Sequence, residues 1–247
     1  MVFIKGDVHR NFAGFLEFFE DVGPNPEDTF IILGDVGINY YLDSSDHQLK
    51  KRLSKNFPIT FLFIAGNHEE RPFNISTYKE KEWNGGTVYY EEEFPNLLFA
   101  KDGEIYELDG KKYFVCGGAY SVDKHYRLAK GWSWFPDEQP NDEAKTRALE
   151  NLEKVNWKVD YVLTHTCPLK YVPRETFLSS VDQSTVDTST EEFLDKIEDK
   201  LEYENWFCGH YHIEKNIDKI KFLMFDVHKI GEGTVFHMKD PNFLTSK

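Results

Sequence analysis

Cysteine is scarce in this sequence, and its number does not suit a disulfide framework. Three cysteines occur in 247 residues, and each stands beside a short apolar run. An odd number placed in this way indicates free thiols in a reducing compartment. The apolar runs fall far short of the roughly 20 residues that a membrane-spanning helix needs, and the first residues lack the pattern of a signal peptide. We therefore expect a cytoplasmic protein with no membrane partner.

Basic residues are also too few for a general nucleic-acid-binding surface. The 29 lysines and arginines stand against 43 acidic residues, which gives a formal net charge of −14. A protein that binds long polyanions needs a basic face that displaces counterions from the phosphates. We therefore do not expect long nucleic acids as partners, and the composition leaves the oligomeric state open.

What is present is the composition of a folded globular protein, with 40% hydrophobic and 29% charged residues. Internal repeats, low-complexity tracts and a convincing linker are all missing from the sequence. We therefore expect one domain over residues 1–247. A domain of this length buries enough surface to fold without a disulfide or a structural metal.

A short apolar run, followed by Gly or Thr and then by polar residues, recurs along the chain. Continuous apolar runs of this length are typical of strands that are buried on both faces. Helical patterns lie between several of them, with Ser45 and Thr190 as predicted N-caps. The predicted strands are 2–4, 30–33, 61–65, 161–163 and 206–208, and the predicted helices are 12–19, 45–57, 142–154 and 190–201.

Alternation of strands and helices predicts parallel pairing with helical crossovers. Two further parts of the chain read as antiparallel hairpins. The first is 87–117, with turns at Asp102-Gly103 and Asp109-Gly110, and the second comprises the runs 213–217, 219–225 and 233–238. The mixture indicates an α/β fold with two mixed sheets. Ligands of such sheets bind outside the carboxyl ends of strands, where the polar clusters stand. The stretches 118–141 and 169–189 are long enough to be loops that line a site.

The polar clusters contain side chains that bind metals. Carboxylate, imidazole and carboxamide groups together suit Mn, Fe or Zn. Asp7 and His9 are two residues apart, and so are His210 and His212. On an extended segment, residues two apart point the same way. We predict two divalent transition-metal ions, with Mn²⁺ expected first and Fe or Zn as alternatives. The candidate side chains are Asp7, His9, Asp35, Asn67, His68, His165, His210 and His212.

These blocks, taken in order, resemble the motifs of the calcineurin-like metallophosphoesterases. The resemblance implies a four-layer α/β sandwich of two mixed sheets flanked by helices. It also implies hydrolysis of phosphate esters by in-line attack of a hydroxide that bridges two metal ions. The blocks are Gly6-Asp7-Val8-His9, Gly34-Asp35, Gly66-Asn67-His68-Glu69, Thr164-His165 and Gly209-His210-Tyr211-His212.

The resemblance further implies a role for each residue. His68 would not bind metal, but would contact the phosphoryl group and help to protonate the leaving oxygen, for which imidazole is suited near neutral pH. One metal ion would be held by Asp7, His9, Asp35 and His212. The second would be held by Asp35, Asn67, His165 and His210.

The chain departs from the protein-phosphatase branch of that family. Arg10 stands where that branch has Gly, and Ile38-Asn39-Tyr40 stands where it has Asp-Arg-Gly. The missing Arg would bind phosphate, and Arg10 could replace it through a bidentate guanidinium contact. Arg127, in the locally positive part of the loop 118–141, is a second candidate. The alternative for each arginine is a surface residue without a catalytic role.

We predict a phosphatase that acts on small phosphomonoesters or nucleotides. The negative net charge weighs against long polyanions, and the missing Asp-Arg-Gly weighs against large phosphoproteins. The alternatives are a phosphodiesterase or nuclease, of the cyclic-nucleotide or debranching type, and a non-catalytic scaffold of the same fold. Glu69 is expected to hydrogen-bond its own loop, and the cysteines are expected to be buried small hydrophobes.

Overall fold

Fourteen strands and five α-helices occur in residues 1–238, the part of the chain that the computed structural model describes. The helices are α1 (Ala13–Val22), α2 (Ser44–Asn56), α3 (Lys124–Lys130), α4 (Asp142–Lys154) and α5 (Ser189–Glu198). Within this range, none of the helices is long and apolar enough to cross a lipid bilayer. Residues 239–247 of the predicted domain lie outside the described residues.

The strands form two mixed sheets, as predicted. An eight-stranded sheet has the order β14-β13-β1-β2-β3-β6-β5-β4, and a six-stranded sheet has the order β11-β12-β10-β9-β8-β7. The strands are β1 (Val2–Lys5), β2 (Thr29–Ile32), β3 (Thr60–Phe63), β4 (Lys79–Trp83), β5 (Gly86–Glu91), β6 (Phe94–Ala100), β7 (Ile105–Leu108), β8 (Lys111–Cys116), β9 (Tyr161–Thr164), β10 (Asn205–Cys208), β11 (Lys215–Ile217), β12 (Ile220–Phe222), β13 (Asp226–Lys229) and β14 (Gly233–His237). Parallel pairs occupy the centre of each sheet, and antiparallel pairs lie at the edges.

Alternate residues of β1 show why the sheets stack between helices. Phe3 packs in a cluster with Phe15 of α1, whereas Val2 and Ile4 pack between the two sheets in a cluster that includes Leu163. A third cluster joins the six-stranded sheet to α4 and α5. Full burial of one large apolar side chain contributes about 1.5–3 kcal/mol. Burial on both faces of each sheet therefore stabilises the predicted four-layer order of helix, sheet, sheet and helix.

Both predicted N-caps are wrong, although α4 has the predicted bounds. Asp43 caps α2, because its carboxylate accepts a hydrogen bond from the backbone N–H of Ser45 at 2.8 Å. Thr190 is buried inside α5, whose N-cap position is Thr188. In both helices a polar residue stands near the true cap, and the pattern alone does not decide which residue turns its side chain back to the first turn.

The buried face of α1 also differs from the pattern that predicts this helix. Leu16, expected on that face, is exposed, whereas Phe18 is buried. Phe15, Phe18 and Phe19 follow helical spacing of three and four residues, and they pack on the eight-stranded sheet. Leu16 lies about 100° round the helix from Phe15, since each residue turns by that angle.

One predicted hairpin exists and another does not. The turn at Asp109-Gly110 joins the antiparallel strands β7 and β8. The turn at Asp102-Gly103 instead carries the chain from β6 in the eight-stranded sheet to β7 in the other sheet. Turn residues mark where a strand ends, but they carry no information about which sheet receives the next strand. The sequence pattern also does not predict β4 or β13.

The cysteines agree with the prediction. Cys116, Cys167 and Cys208 are buried and free. Burial raises the pKa of each thiol, so they are not activated nucleophiles.

Candidate metal centre

The fold brings the predicted site residues to one edge of the two stacked sheets. Strands β1, β2 and β3 are parallel neighbours in one sheet, and β9 and β10 are parallel neighbours in the other. A polar block follows each of these strands at its carboxyl end. Contacts between the sheets, such as His212 with Asp7 and His165 with Asp35, show that the two sets of blocks meet.

The first cluster consists of Asp7, His9 and His212. The Nε2 atom of His212 lies 3.1 Å from Oδ2 of Asp7, and Nε2 of His9 lies 3.6 Å from the same oxygen. The two Nε2 atoms are 2.9 Å apart. Two ring nitrogens and a buried carboxylate oxygen therefore converge on one small region, and their ligand atoms all lie within 4.8 Å of one another.

A second cluster, Asp7, Asp35 and His165, adjoins the first and shares Asp7 with it. Oδ1 of Asp35 lies 3.6 Å from Nε2 of His165, and its Oδ2 lies 3.9 Å from Nδ1 of His9. Asp35 thus reaches residues of both clusters, as a bridging ligand must. Oδ1 of Asn67 is 2.8 Å from Nε2 of His165, which places the carboxamide beside the second cluster.

His210 is anchored at the same edge by its backbone. Its N–H donates a hydrogen bond of 2.8 Å to Oδ1 of Asp7, and its ring packs edge-on to that of His165 with centroids 4.9 Å apart. The structure therefore gathers all eight candidates at one edge, although neither His210 nor His68 belongs to the two clusters.

Several candidate ligands have backbone conformations that residues other than glycine rarely adopt. The φ angles are 46° at His9, 47° at Asp35, 64° at His210 and 52° at His212. Such conformations cost about 1–3 kcal/mol each and concentrate at functional sites. These four conformations therefore occur together at the edge where the candidate ligands meet.

The glycine of a motif makes room for the ligand of another motif. A Cβ atom on Gly66 would overlap the carboxylate of Asp35, and one on Gly209 would overlap the carboxylate of Asp7. Any side chain at either position would therefore displace a candidate ligand. This explains why glycine stands directly before Asn67 and His210.

Burial and neighbouring charges determine which of the candidate ligands are protonated. Burial alone would raise the pKa of Asp7 and Asp35, but the nearby imidazoles hold both pKa values below the ordinary value. Burial lowers the pKa of His9, and it lowers the pKa of His210 to about 3. His212 differs: burial lowers its pKa, but the hydrogen bond with Asp7 and the charges of Asp7 and Asp35 together outweigh burial and raise the pKa. The carboxylates are therefore ionised, and the rings of His9 and His210 are in the neutral form that binds metals.

The donor set fits divalent transition metals. Metal ligands must be deprotonated, and mixed imidazole and carboxylate donors suit Mn, Fe or Zn. The close approach of ring nitrogens to one another and to carboxylate oxygens places several lone pairs in one region. A cation bound there would be stabilised by all of them.

His68 lies beside the clusters with its ring toward them. Its backbone N–H donates to Oδ1 of Asp35 at 2.9 Å, and its Nε2 lies 3.9 Å from Oδ2 of the same residue. A guanidinium nitrogen of Arg127 is 3.3 Å from Nε2 of His68. Burial and the charge of Arg127 lower the pKa of His68, against the opposing effect of Asp35. His68 can therefore exchange a proton near the clusters.

The two candidate arginines have different surroundings. Arg10 pairs with the carboxylate of Asp46, donates to the carbonyl of Gly37 and stacks over Tyr41 at 4.8 Å. Neither Arg10 nor Arg127 is among the described residues that line the cavity at the clusters. Arg127, however, contacts His68, which does line it. The geometry therefore favours Arg127 as the cation of the site. Arg10 is instead bound to other parts of the fold.

Two further residues support the candidate ligands. Glu69 is fully buried and accepts hydrogen bonds from the backbone N–H groups of Gly66 and Gly37, at 3.2 and 3.1 Å, as predicted. Ser121 accepts a hydrogen bond of 2.8 Å from the amide nitrogen of Asn67, which leaves Oδ1 of Asn67 toward His165. Ser121 received no role from the sequence patterns. Ser121 follows β8 closely in the chain, and β8 is a parallel neighbour of β9. This position after a parallel strand could have predicted Ser121 as a residue of the site.

Comparisons with known proteins give one family match and two similar solved structures. The family model described as calcineurin-like phosphoesterase matches residues 2–214. Among solved structures, phosphopantetheinyl hydrolase (PptH) from Mycobacterium tuberculosis is 13% identical, with a TM-score of 0.48 over 91% of this chain and 88% of that one. A protein of unknown function, AQ665 from Aquifex aeolicus, is 16% identical, with a TM-score of 0.31 over 67% of this chain and 80% of that one.

Proposed function

Since the chain belongs to the calcineurin-like phosphoesterase family, we propose that it is a metal-dependent phosphatase for small phosphomonoesters. The observation that carries this proposal is the pair of carboxylate and imidazole clusters that Asp35 connects, with His68 beside them. Bound divalent ions would supply positive charge to phosphoryl oxygens and would lower the pKa of water toward neutrality. The residues that would hold them are Asp7, His9, Asp35 and His212 for one ion, and Asp35, Asn67, His165 and His210 for the other.

His68 and Arg127 act directly on the ester in this proposal. The ring of His68 protonates the leaving oxygen, and its position beside Asp35 sets it at the edge of the clusters. Arg127 directs its guanidinium toward His68 and is held there by Asp123, which accepts a hydrogen bond from Nε at 2.8 Å. An anionic phosphoryl group next to His68 would offset the effect of Arg127 on the pKa of that ring. Substrate binding would thus favour the protonated form that an acid requires.

Metal removal tests the proposal most directly. We expect chelation to abolish hydrolysis of nitrophenyl phosphate and Mn²⁺ to restore it, with Fe or Zn restoring it less well. The measurements are the hydrolysis rate and the metal content by elemental analysis, before and after chelation. A bis(nitrophenyl) diester and a cyclic nucleotide, assayed in parallel, separate monoesterase from diesterase activity. Full activity in a sample shown to be metal-free would contradict the proposal.

The two arginines give a matched pair of variants. We expect Arg127→Ala to raise KM about 10–150-fold with little change in kcat, the scale of a lost charge-assisted contact of about 1.5–3 kcal/mol. We expect Arg10→Ala to leave KM nearly unchanged and to lower the free energy of unfolding, because the buried carboxylate of Asp46 loses its ion pair. Steady-state kinetics and denaturant unfolding of both variants provide the measurements.

Each arginine variant is the control for the other, since both remove the same side chain. A fall in kcat for Arg10→Ala without any loss of stability would show that Arg10 acts in catalysis. A fall in kcat for Arg127→Ala at constant KM would mean that Arg127 acts through His68 and does not bind the phosphoryl group.

A further inference from the structure

A cavity of about 690 Å³ opens directly at the candidate metal centre. Asp35, Asn67, His68, His210 and His212 line its inner end. Ligand pockets for small molecules typically have volumes of about 300–1,000 Å³. A phosphoryl group fills only a small part of this space, so the remainder is available for the group that is esterified to it.

The outer part of the cavity is apolar. Its apolar side chains come largely from the segment 169–188, which was expected to be a polar loop. Phe177 and Leu178 are 39% and 59% exposed, so both present apolar surface to the cavity. The apolar residues of the segment that line the cavity are Leu169, Val172, Phe177, Leu178, Val181 and Val186.

The segment is tied to the fold on both sides of Phe177 and Leu178. Near the start of the segment, the backbone N–H of Lys170 donates to Asp195 of α5 at 3.1 Å. In the middle, Glu175 pairs with Lys215. After them, the carboxylate of Asp187 accepts a hydrogen bond of 3.0 Å from the side-chain amide of Gln139. These ties hold the segment in place. Val172 also packs against the core, whereas Phe177 and Leu178 stay exposed and form an apolar wall of the cavity beside the clusters.

The charged side chains of the cavity indicate which kind of substrate group can bind there. Within residues 1–238, Arg174 is the one Lys or Arg side chain that lines the cavity, and the acidic residues Asp123 and Glu191 also line it. A polyphosphate chain or a nucleic acid needs several cations along its path. An apolar organic group needs none, and it gains free energy by covering exposed apolar surface.

We infer that the substrate is a phosphomonoester with an extended apolar organic group, which binds against Phe177, Leu178 and their apolar neighbours. This inference rests on the proposed function, because it assigns the inner end of the cavity to the phosphoryl group. The specificity-determining residues are then those of the segment 169–188, and the metal ligands and His68 serve any phosphoester that fits.

Normal alkyl phosphates test the inference, because ethyl, butyl and hexyl phosphate release alcohols of nearly equal acidity and differ mainly in apolar length. We expect kcat/KM to rise with length by up to about fourfold for each methylene that the protein covers. Hexyl phosphate should therefore exceed ethyl phosphate by about tenfold or more with partial coverage. Calorimetric affinities of the matching alkylphosphonates for the Mn²⁺-loaded protein should rise in the same order, which provides a readout independent of turnover.

The variants Phe177→Ser and Leu178→Ser should each lower the hexyl-to-ethyl ratio by about threefold or more, the loss of roughly one covered methylene. Leu149→Ser is the matched control, because Leu149 is 42% exposed on α4 and outside the described lining of the cavity. It should leave the ratio unchanged. Circular dichroism of each variant shows whether it is folded.

The outcomes separate the inference from the proposed function. Hydrolysis that is independent of chain length, or faster for a nucleoside triphosphate than for hexyl phosphate, would overturn the inference and leave the function standing. Failure to hydrolyse any ester with Mn²⁺, Fe or Zn would overturn the function. In that case, phosphonate affinities that rise with length would still support the apolar cavity, and affinities that do not change with length would overturn it.

Discussion

Asp35→Asn should nearly abolish hydrolysis and should reduce the bound metal more than any other single substitution. Its two carboxylate oxygens reach residues of both clusters, with Oδ1 3.6 Å from His165 and Oδ2 3.9 Å from His9. The amide replaces one of these oxygens with a donor and removes the negative charge, so one ion loses a ligand and the other keeps only a neutral oxygen. Metal ions contribute several kcal/mol to transition-state stabilisation, so we expect a loss of roughly 10³-fold or more in kcat/KM.

Asp28→Asn is the control for Asp35→Asn. Asp28 is also buried, at 3% exposure against 2% for Asp35, but it stands at the opposite end of β2, where it pairs with the amino terminus. The control should lower stability without changing the metal content of the folded protein. The measurements are kcat/KM, metal per chain and unfolding in denaturant. Retention of both metals and of more than a tenth of the activity in Asp35→Asn would contradict the bridging role.

The site residues could be predicted from the sequence because they directly follow strands in the chain. Each apolar run specifies a buried strand, and the polar block that follows specifies what stands at the carboxyl end. Parallel order in both sheets then brings Asp7 and Asp35 together with His165 and His212. Even the glycines are explained by local rules, since Gly66 and Gly209 leave space for carboxylates that come from other strands.

What could not be predicted depends on contacts between distant segments. The partner of Arg10 is Asp46, thirty-six positions away, and nothing near Arg10 in the sequence indicates that ion pair. The crossing at Asp102-Gly103 resembles a hairpin turn, because the choice of sheet is made by packing and not by the turn. The apolar wall around Phe177 and Leu178 could not be predicted either. Its segment consists of loops and three short 3₁₀ turns, in which scattered apolar residues show no helix or strand period.

His68→Ala should retain both metals but should lose about 10²–10⁴-fold in kcat for an alkyl phosphate, the usual scale for loss of a general acid. The reason lies in its position. Nε2 of its ring lies 3.9 Å from Oδ2 of Asp35 and 3.3 Å from a guanidinium nitrogen of Arg127, so the ring stands between the clusters and that cation. The measurements are kcat for ethyl phosphate and for nitrophenyl phosphate, together with metal per chain.

The comparison of the two substrates decides between an acid and a ligand. Nitrophenolate leaves without much help from a proton, so the deficit of His68→Ala should be much smaller for nitrophenyl phosphate than for ethyl phosphate. A lost metal ligand would instead slow both substrates alike, because both need the same charge on the phosphoryl oxygens. His47→Ala is the matched control, since His47 is half-exposed, pairs with Glu93 and should affect neither substrate. Equal deficits accompanied by loss of a metal would therefore identify His68 as a ligand, whereas unequal deficits at full metal content require a residue that delivers the proton.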